Sequence, residues 1–156
     1  KKELELLSFQ KEIDGVKESI WIDVEESGAI ISTDFKDAPT ILYPKIYLES
    51  IILNLLTNSM KYRSLDRPLK IHISSHKLGD KIVFTWKDNG TGIDLEKYGK
   101  QLFGLKNTFH DREDSRGIGL YITRNQIESV GGTITAESKV NEGCTFTITF
   151  KDLRVV

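Results

Sequence analysis

Leu6, Phe9, Ile13, Val16 and Ile20 recur at three- and four-residue intervals, so residues 3–26 are predicted as one amphipathic helix, weakened by Gly15 and ended by Ser27-Gly28. "AIISTDF" follows as a short strand, and "KDAPTILYP" reads as loop because two prolines and an aspartate interrupt any period. Residues 45–63, "KIYLESIILNLLTNSMKYR", form the longest helical pattern, with Pro44 suited to its first position or the one before. Leu69, Ile71 and Ile73 alternate with Lys70, His72 and Ser74, and Ile82, Phe84 and Trp86 alternate likewise, giving two strands joined at Leu78-Gly79-Asp80. "NGTGID" is a glycine-rich turn, residues 95–103 a short helix, and residues 104–115 a long polar loop. A last helix starts around Gly117 and stops at Gly131-Gly132. "TITAES" and "CTFTITF" are the final strands, joined by Asn141-Glu142-Gly143. Hairpins interleaved with helices predict an α/β sandwich, a mixed and mainly antiparallel sheet with helices on one face and a flexible lid.

Composition narrows the classes without choosing among them. At 156 residues the chain is sized for one domain, divided in expectation into an N-terminal helical segment over 1–28 and a main unit over 29–156. The 22 basic residues balance 23 acidic ones, which argues against nucleic acid and membrane surfaces as partners. No apolar run reaches the length of a membrane span. Cys144 is the one cysteine, so no internal disulfide can form and a reducing, cytoplasmic setting is expected. The chain opens Lys-Lys-Glu rather than on methionine, which predicts a piece of a longer protein.

Three segments carry candidate chemistry. Asn54 and Asn58 lie four residues apart in the long helix, hence on one face, and Lys61 with Tyr62 extend the stripe by a turn. Two amides in a mostly apolar helix either bond neighbouring backbone or line a pocket for a polar anion and its metal, since a buried amide left alone costs about 1–3 kcal/mol. Asp88 closes an apolar strand where it meets a glycine turn. That is either a simple turn or a buried carboxylate needing a donor such as the amino group of adenine, where guanine presents an oxygen. Gly90 and Gly92 would let the backbone lie against a flat ring. Gly117 and Gly119 open a helix whose N–H groups attract phosphate, with Arg116 adding charge; the bland alternative is a sharp entry into the helix.

Taken in order, "LNLLTNSMKY", "DNGTGI", "LFG" with Phe109, "RGIGL" and "NEGCTF" resemble the N, G1, F and G2 boxes and the closing glycine motif of the ATP-binding domain of sensor histidine kinases, in the wider group of DNA gyrase, the Hsp90 chaperones and MutL. The resemblance covers about residues 29–150. It implies a Bergerat-type fold holding ATP and Mg²⁺. Asp88 would accept the adenine amino group, and Asn58 would coordinate Mg²⁺. Asn54, Lys61 and Tyr62 would hold the phosphates and the ribose side. Gly90, Gly92 and Ile93 would complete the nucleotide-binding set with Arg116, Gly117, Ile118, Gly119, Leu120 and Cys144. The family's hydrolysing branches carry glutamate at the position of Asn54, and an amide cannot act as general base, so transfer is expected over hydrolysis.

The sequence departs from the family pattern at Ser115, where a further glycine is usual, at Lys106-Asn107 beside the lid, and at Cys144, where a hydroxyl residue is usual. His72 and His76 lack the acidic neighbour of a phosphoacceptor histidine, and His110, though followed by Asp111, lies in the expected lid with no proline after it. The implied partners are therefore a separate dimerisation domain bearing that histidine and a response regulator receiver domain. The intact protein would be a homodimer, with a membrane anchor elsewhere left open. A degenerate nucleotide-binding or interaction module and a related ATPase or serine kinase are the competing expectations.

Overall fold

The computed structural model describes residues 3–99, 102–104 and 116–154, with side chains in the last stretch from residue 119. The elements run β1 (Glu5–Ser8), α1 (Phe9–Ser19), α2 (Trp21–Ser27), β2 (Ile30–Asp34), β3 (Thr40–Tyr43), α3 (Lys45–Lys61), β4 (Lys70–Leu78), β5 (Lys81–Asp88), α4 (Leu95–Tyr98), α5 (Arg116–Ser129), β6 (Thr133–Lys139) and β7 (Gly143–Lys151).

Alternation builds the main sheet. Ile82, Phe84 and Trp86 of β5 register with Phe150, Ile148 and Phe146 of β7, all buried on one face. Lys87, Thr145 and Glu137 share a row on the other face. The order is β2-β4-β5-β7-β6, with β2 parallel to β4 and every other pair antiparallel. The apolar positions of α1, α3 and α5 share one core with the buried face, so the expected α/β sandwich is present.

Two stretches differ from the sequence expectation. Residues 3–26 are not one helix: residues 5–8 pair antiparallel with β3, burying Leu7 and leaving Leu6 exposed. Ser8 then caps α1 by accepting from Lys11 N at 3.2 Å, and Ile20, with φ −125, separates α1 from α2. The helical phase through Leu6 is a coincidence of spacing. "TILY", expected as loop, is strand β3: Pro39 and Pro44 bracket it, and Ile41 and Tyr43 are buried in alternation with Thr40 and Leu42. The expected short helix over 95–103 is α4 alone within the described residues, and the lid beyond Gly104 lies outside them.

The N-terminal segment enters the main core. The Phe9 ring lies 5.2 Å from Phe84 and 6.3 Å from Phe150, and Lys45 Nζ meets the buried Glu12 carboxylate at 2.8 Å, joining α1 to the start of α3. Among the described residues no helix is long and apolar enough to cross a membrane.

Candidate functional site

The β5 alternation that buries Ile82, Phe84 and Trp86 also turns Asp88 inward, where it is 6% exposed. A carboxylate so placed needs donors. Its Oδ1 accepts from Gly90 N at 3.0 Å and Cys144 N at 3.3 Å. Its Oδ2 accepts from Ser59 Oγ at 2.7 Å, and Ser59 Oγ in turn accepts from Trp86 Nε1 at 3.0 Å. Among the described residues Oδ2 has this one donor, and a carboxylate oxygen can accept two.

The glycine turn after Asp88 is fastened on three sides. Tyr62 O, at the end of α3, accepts from Thr91 N at 2.9 Å and from Thr91 Oγ1 at 3.1 Å. A Cβ on Gly90 would stand 2.6 Å from that same carbonyl oxygen. Gly92 has φ +71, and a Cβ there would overlap the Lys139 carbonyl; one on Gly143, at φ +123, would overlap the Asp88 carbonyl. Gly90 and Gly92 were expected to clear room for a flat ring. In the structure their missing side chains let main chain lie on main chain, so that α3, the turn and the β6–β7 hairpin form one block. Ile93 N donates to Ser138 Oγ at 2.8 Å, and Arg67 donates to the carbonyls of Asn89, Gly90 and Asn141 at 2.8, 2.8 and 2.6 Å.

On α3, Asn54 Nδ2 donates to Gly119 O at 3.3 Å and to Thr123 Oγ1 at 3.1 Å, binding α3 to the first turns of α5. Asn58 stands one turn along the same face and precedes Ser59, so the α3 stripe runs from the α5 contact to the back of Asp88. Lys61 Nζ lies 5.6 Å from the Tyr62 ring centroid. Helix α5 begins at Arg116, placing its first-turn N–H groups beside Asn54. A Cβ on Gly119 would come no nearer than 3.8 Å to Asn54 Cγ, an ordinary contact. Leu120 and Ile93 are buried in the core.

A cavity of about 580 Å³ opens where β5, β6 and β7 end, lined in part by Asp88, Leu95, Ser138 and Cys144. Cys144 is buried, in alternation with Phe146, Ile148 and Phe150 of β7. The α3 amides do not line this cavity; α3 meets Asp88 through Ser59 and α5 through Asn54. Leu102 is buried, and Phe103 packs edge-on against Phe146 at 6.4 Å, anchoring the near end of the expected lid. The side chains of Arg116 and Ile118, and the positions of Lys106, Phe109, His110 and Ser115, lie outside the described residues. Among the described residues no three acidic, histidine or cysteine side chains gather as a metal site.

Residues 44–154 match the family of histidine kinase-, DNA gyrase B- and HSP90-like ATPases. The chain belongs to that family. It is 33% identical over 147 residues to cyanobacterial phytochrome A of Nostoc sp., covering 93% of this chain and 19% of that protein. It is 30% identical over 141 residues to the sensor protein RprX of Bacteroides fragilis, covering 87% of this chain and 27% of the other. The chain thus spans about a fifth to a quarter of the curated relatives it matches. The fold is that of the nucleotide-free catalytic domain of histidine kinase ThkA, with a TM-score of 0.80 at 20% identity and 96% of each chain covered. Full-length ShkA in complex with AMPPNP superposes with a TM-score of 0.79 at 20% identity, over 97% of this chain and 31% of that one. This family's nucleotide is ATP, and the chain is an ATP-binding catalytic domain of the sensor histidine kinase type.

Proposed function

We propose that this domain binds ATP with Mg²⁺ and passes the γ-phosphoryl group to a histidine on a separate helical dimerisation domain, from which a response regulator receiver domain takes it. The observation that carries this reading is the hydrogen-bonding of Asp88. Three protein donors hold its buried carboxylate, and Oδ2 retains acceptor capacity for one more. Adenine supplies that donor through its 6-amino group.

The remaining roles follow from position. The first turn of α5, from Arg116 through Gly117 and Gly119, offers N–H groups and a positive dipole end to the phosphates. Among the described residues the nearest neighbour to a Cβ on Gly119 is Asn54, at an ordinary 3.8 Å, and a close approach of phosphate supplies a reason for glycine there. Asn58 offers an amide oxygen to Mg²⁺, and Lys61 and Tyr62 flank the same end of α3. The donor set fits a hard cation that arrives on the triphosphate, because an amide oxygen is a hard ligand and the phosphate oxygens supply the others. Mg²⁺, when bound, neutralises charge on the transferring group. Asn54 has no proton to gain at neutral pH and spends its amide on Gly119 O and Thr123 Oγ1. It therefore holds α5 to α3 and does not activate water, which favours transfer over hydrolysis.

Two measurements test the reading. Asp88→Asn presents an amide in place of one carboxylate oxygen and should abolish ATP binding in a calorimetric titration while the domain stays folded. Mixing the wild-type chain with its dimerisation domain and γ-labelled ATP should place label on histidine. Binding without transfer would leave a nucleotide-binding module, and rapid steady-state hydrolysis would point to an ATPase.

A further inference from the structure

Ser59 and Trp86 reach the proposed site through Asp88: Ser59 Oγ bonds its carboxylate, and Trp86 Nε1 bonds Ser59 Oγ. An indole N–H can only donate. Trp86 Nε1 donates to Ser59 Oγ at 3.0 Å, occupying one of the hydroxyl's two lone pairs, and Ser59 Oγ donates its own proton to Asp88 Oδ2 at 2.7 Å. Trp86 and Ser59 are each 1% exposed, so bulk water does not compete for either bond. On the other oxygen, Gly90 N and Cys144 N also donate. Every described group that meets the Asp88 carboxylate is thus a donor, and the chain Trp86–Ser59–Asp88 has one direction.

We propose that Ser59 and Trp86 are positioning residues that set the base specificity of this site. A carboxylate only accepts, and the two residues fix its orientation, so that it is aligned for a purine with an amino group at ring position 6 and meets a carbonyl oxygen there lone pair to lone pair. The proposal rests on the assignment of Asp88 to the adenine amino group. Its physical basis is that two lone-pair groups cannot share a proton that neither carries. A serine hydroxyl alone can rotate away from Asp88, and the indole N–H behind Ser59 holds its oxygen in place.

The test compares ATP with ITP, which differ at ring position 6. Dissociation constants for both are measured on the 156-residue chain as wild type, Ser59→Ala, Ser59→Thr and Trp86→Phe, each with a thermal melt. Wild type should prefer ATP. Ser59→Ala should cut the ITP-to-ATP ratio of dissociation constants by about tenfold, the worth of one buried hydrogen bond. Ser59→Thr, which keeps the hydroxyl, should restore the ratio. Trp86→Phe should narrow the ratio through a freely rotating Ser59; if loss of the large indole unfolds the domain, Ser59→Ala carries the reading. A purely structural role for Ser59 would weaken both nucleotides in parallel with the ratio unchanged, and that result overturns the proposal alone. Equal affinity of wild type for ATP and ITP overturns the Asp88 assignment and this proposal with it.

Discussion

At Asp88 a buried carboxylate meets donors from three elements, whereas the hydroxyl of Tyr43, 1% exposed, has no hydrogen-bond partner among the described residues. Burial, with nearby Tyr47 adding to it, raises the Tyr43 phenol far above its ordinary ionisation range. Its ring earns its place by packing edge-on against Phe150 at 4.9 Å. Tyr43→Phe keeps that contact and removes a polar atom that folding strips of water. Stability in urea unfolding should rise by about 1 kcal/mol; a fall of that size would mean the hydroxyl has a partner after all. The same contrast explains which residues could be read in advance. A carboxylate closing an apolar alternation announces that it needs a donor, so Asp88 was legible. The donor was not, because a serine in a helix is compatible with any surroundings and Ser59 finds Asp88 29 positions away. Arg67 was equally silent, its three carbonyl acceptors lying 22, 23 and 74 positions along the chain.

Among the elements, two glycines that look alike in sequence do opposite things. Gly92 sits at φ +71 with its Cβ direction filled by the Lys139 carbonyl. Gly92→Ala should therefore force the turn off the β6–β7 hairpin and lower stability by more than about 1 kcal/mol. Gly119 is helical, and among the described residues its nearest contact is an ordinary one to Asn54 at 3.8 Å. Gly119→Ala should leave the melting temperature equal or higher, since alanine favours the helix by up to about 1 kcal/mol, while ATP affinity falls. Unchanged ATP affinity in that variant would remove the phosphates from the start of α5. Long periodic elements such as α3 and β5 matched expectation because burial imposes their pattern on many residues. Strands β1 and β3 escaped it because each has four residues and their ladder joins segments far apart in sequence. A period cannot be distinguished over so short a run, and the prolines flanking β3 mark its ends as readily as they would mark a loop.

For the molecule as a whole, one charged cluster closes the structure. Asp152, just past β7, is buried and takes Arg154 Nε at 3.1 Å and Lys77 Nζ, from β4, at 3.7 Å, while Arg154 also donates to Thr40 Oγ1 and O at the start of β3. Burial alone would push the Asp152 carboxyl up, but the hydrogen bonds and charge of Arg154, helped by Lys77, outweigh it and hold the group below its ordinary 3.8. A carboxyl depressed in the folded state stabilises the fold above its unfolded value and loses that contribution as the pH falls through the folded one. Melting temperature should thus drop as pH descends below about 4, and Asp152→Asn should flatten that acid limb while lowering stability at neutral pH. The chain that links Trp86 through one hydroxyl to Asp88 has a further use. The other tryptophan, Trp21, is 60% exposed where Trp86 is 1% exposed and hydrogen-bonded, so the two indoles emit from unlike surroundings. Replacing Trp21 with phenylalanine leaves a single native fluorophore wired to the carboxylate, and the domain then reports arrival of its base as a change of colour, with no dye attached.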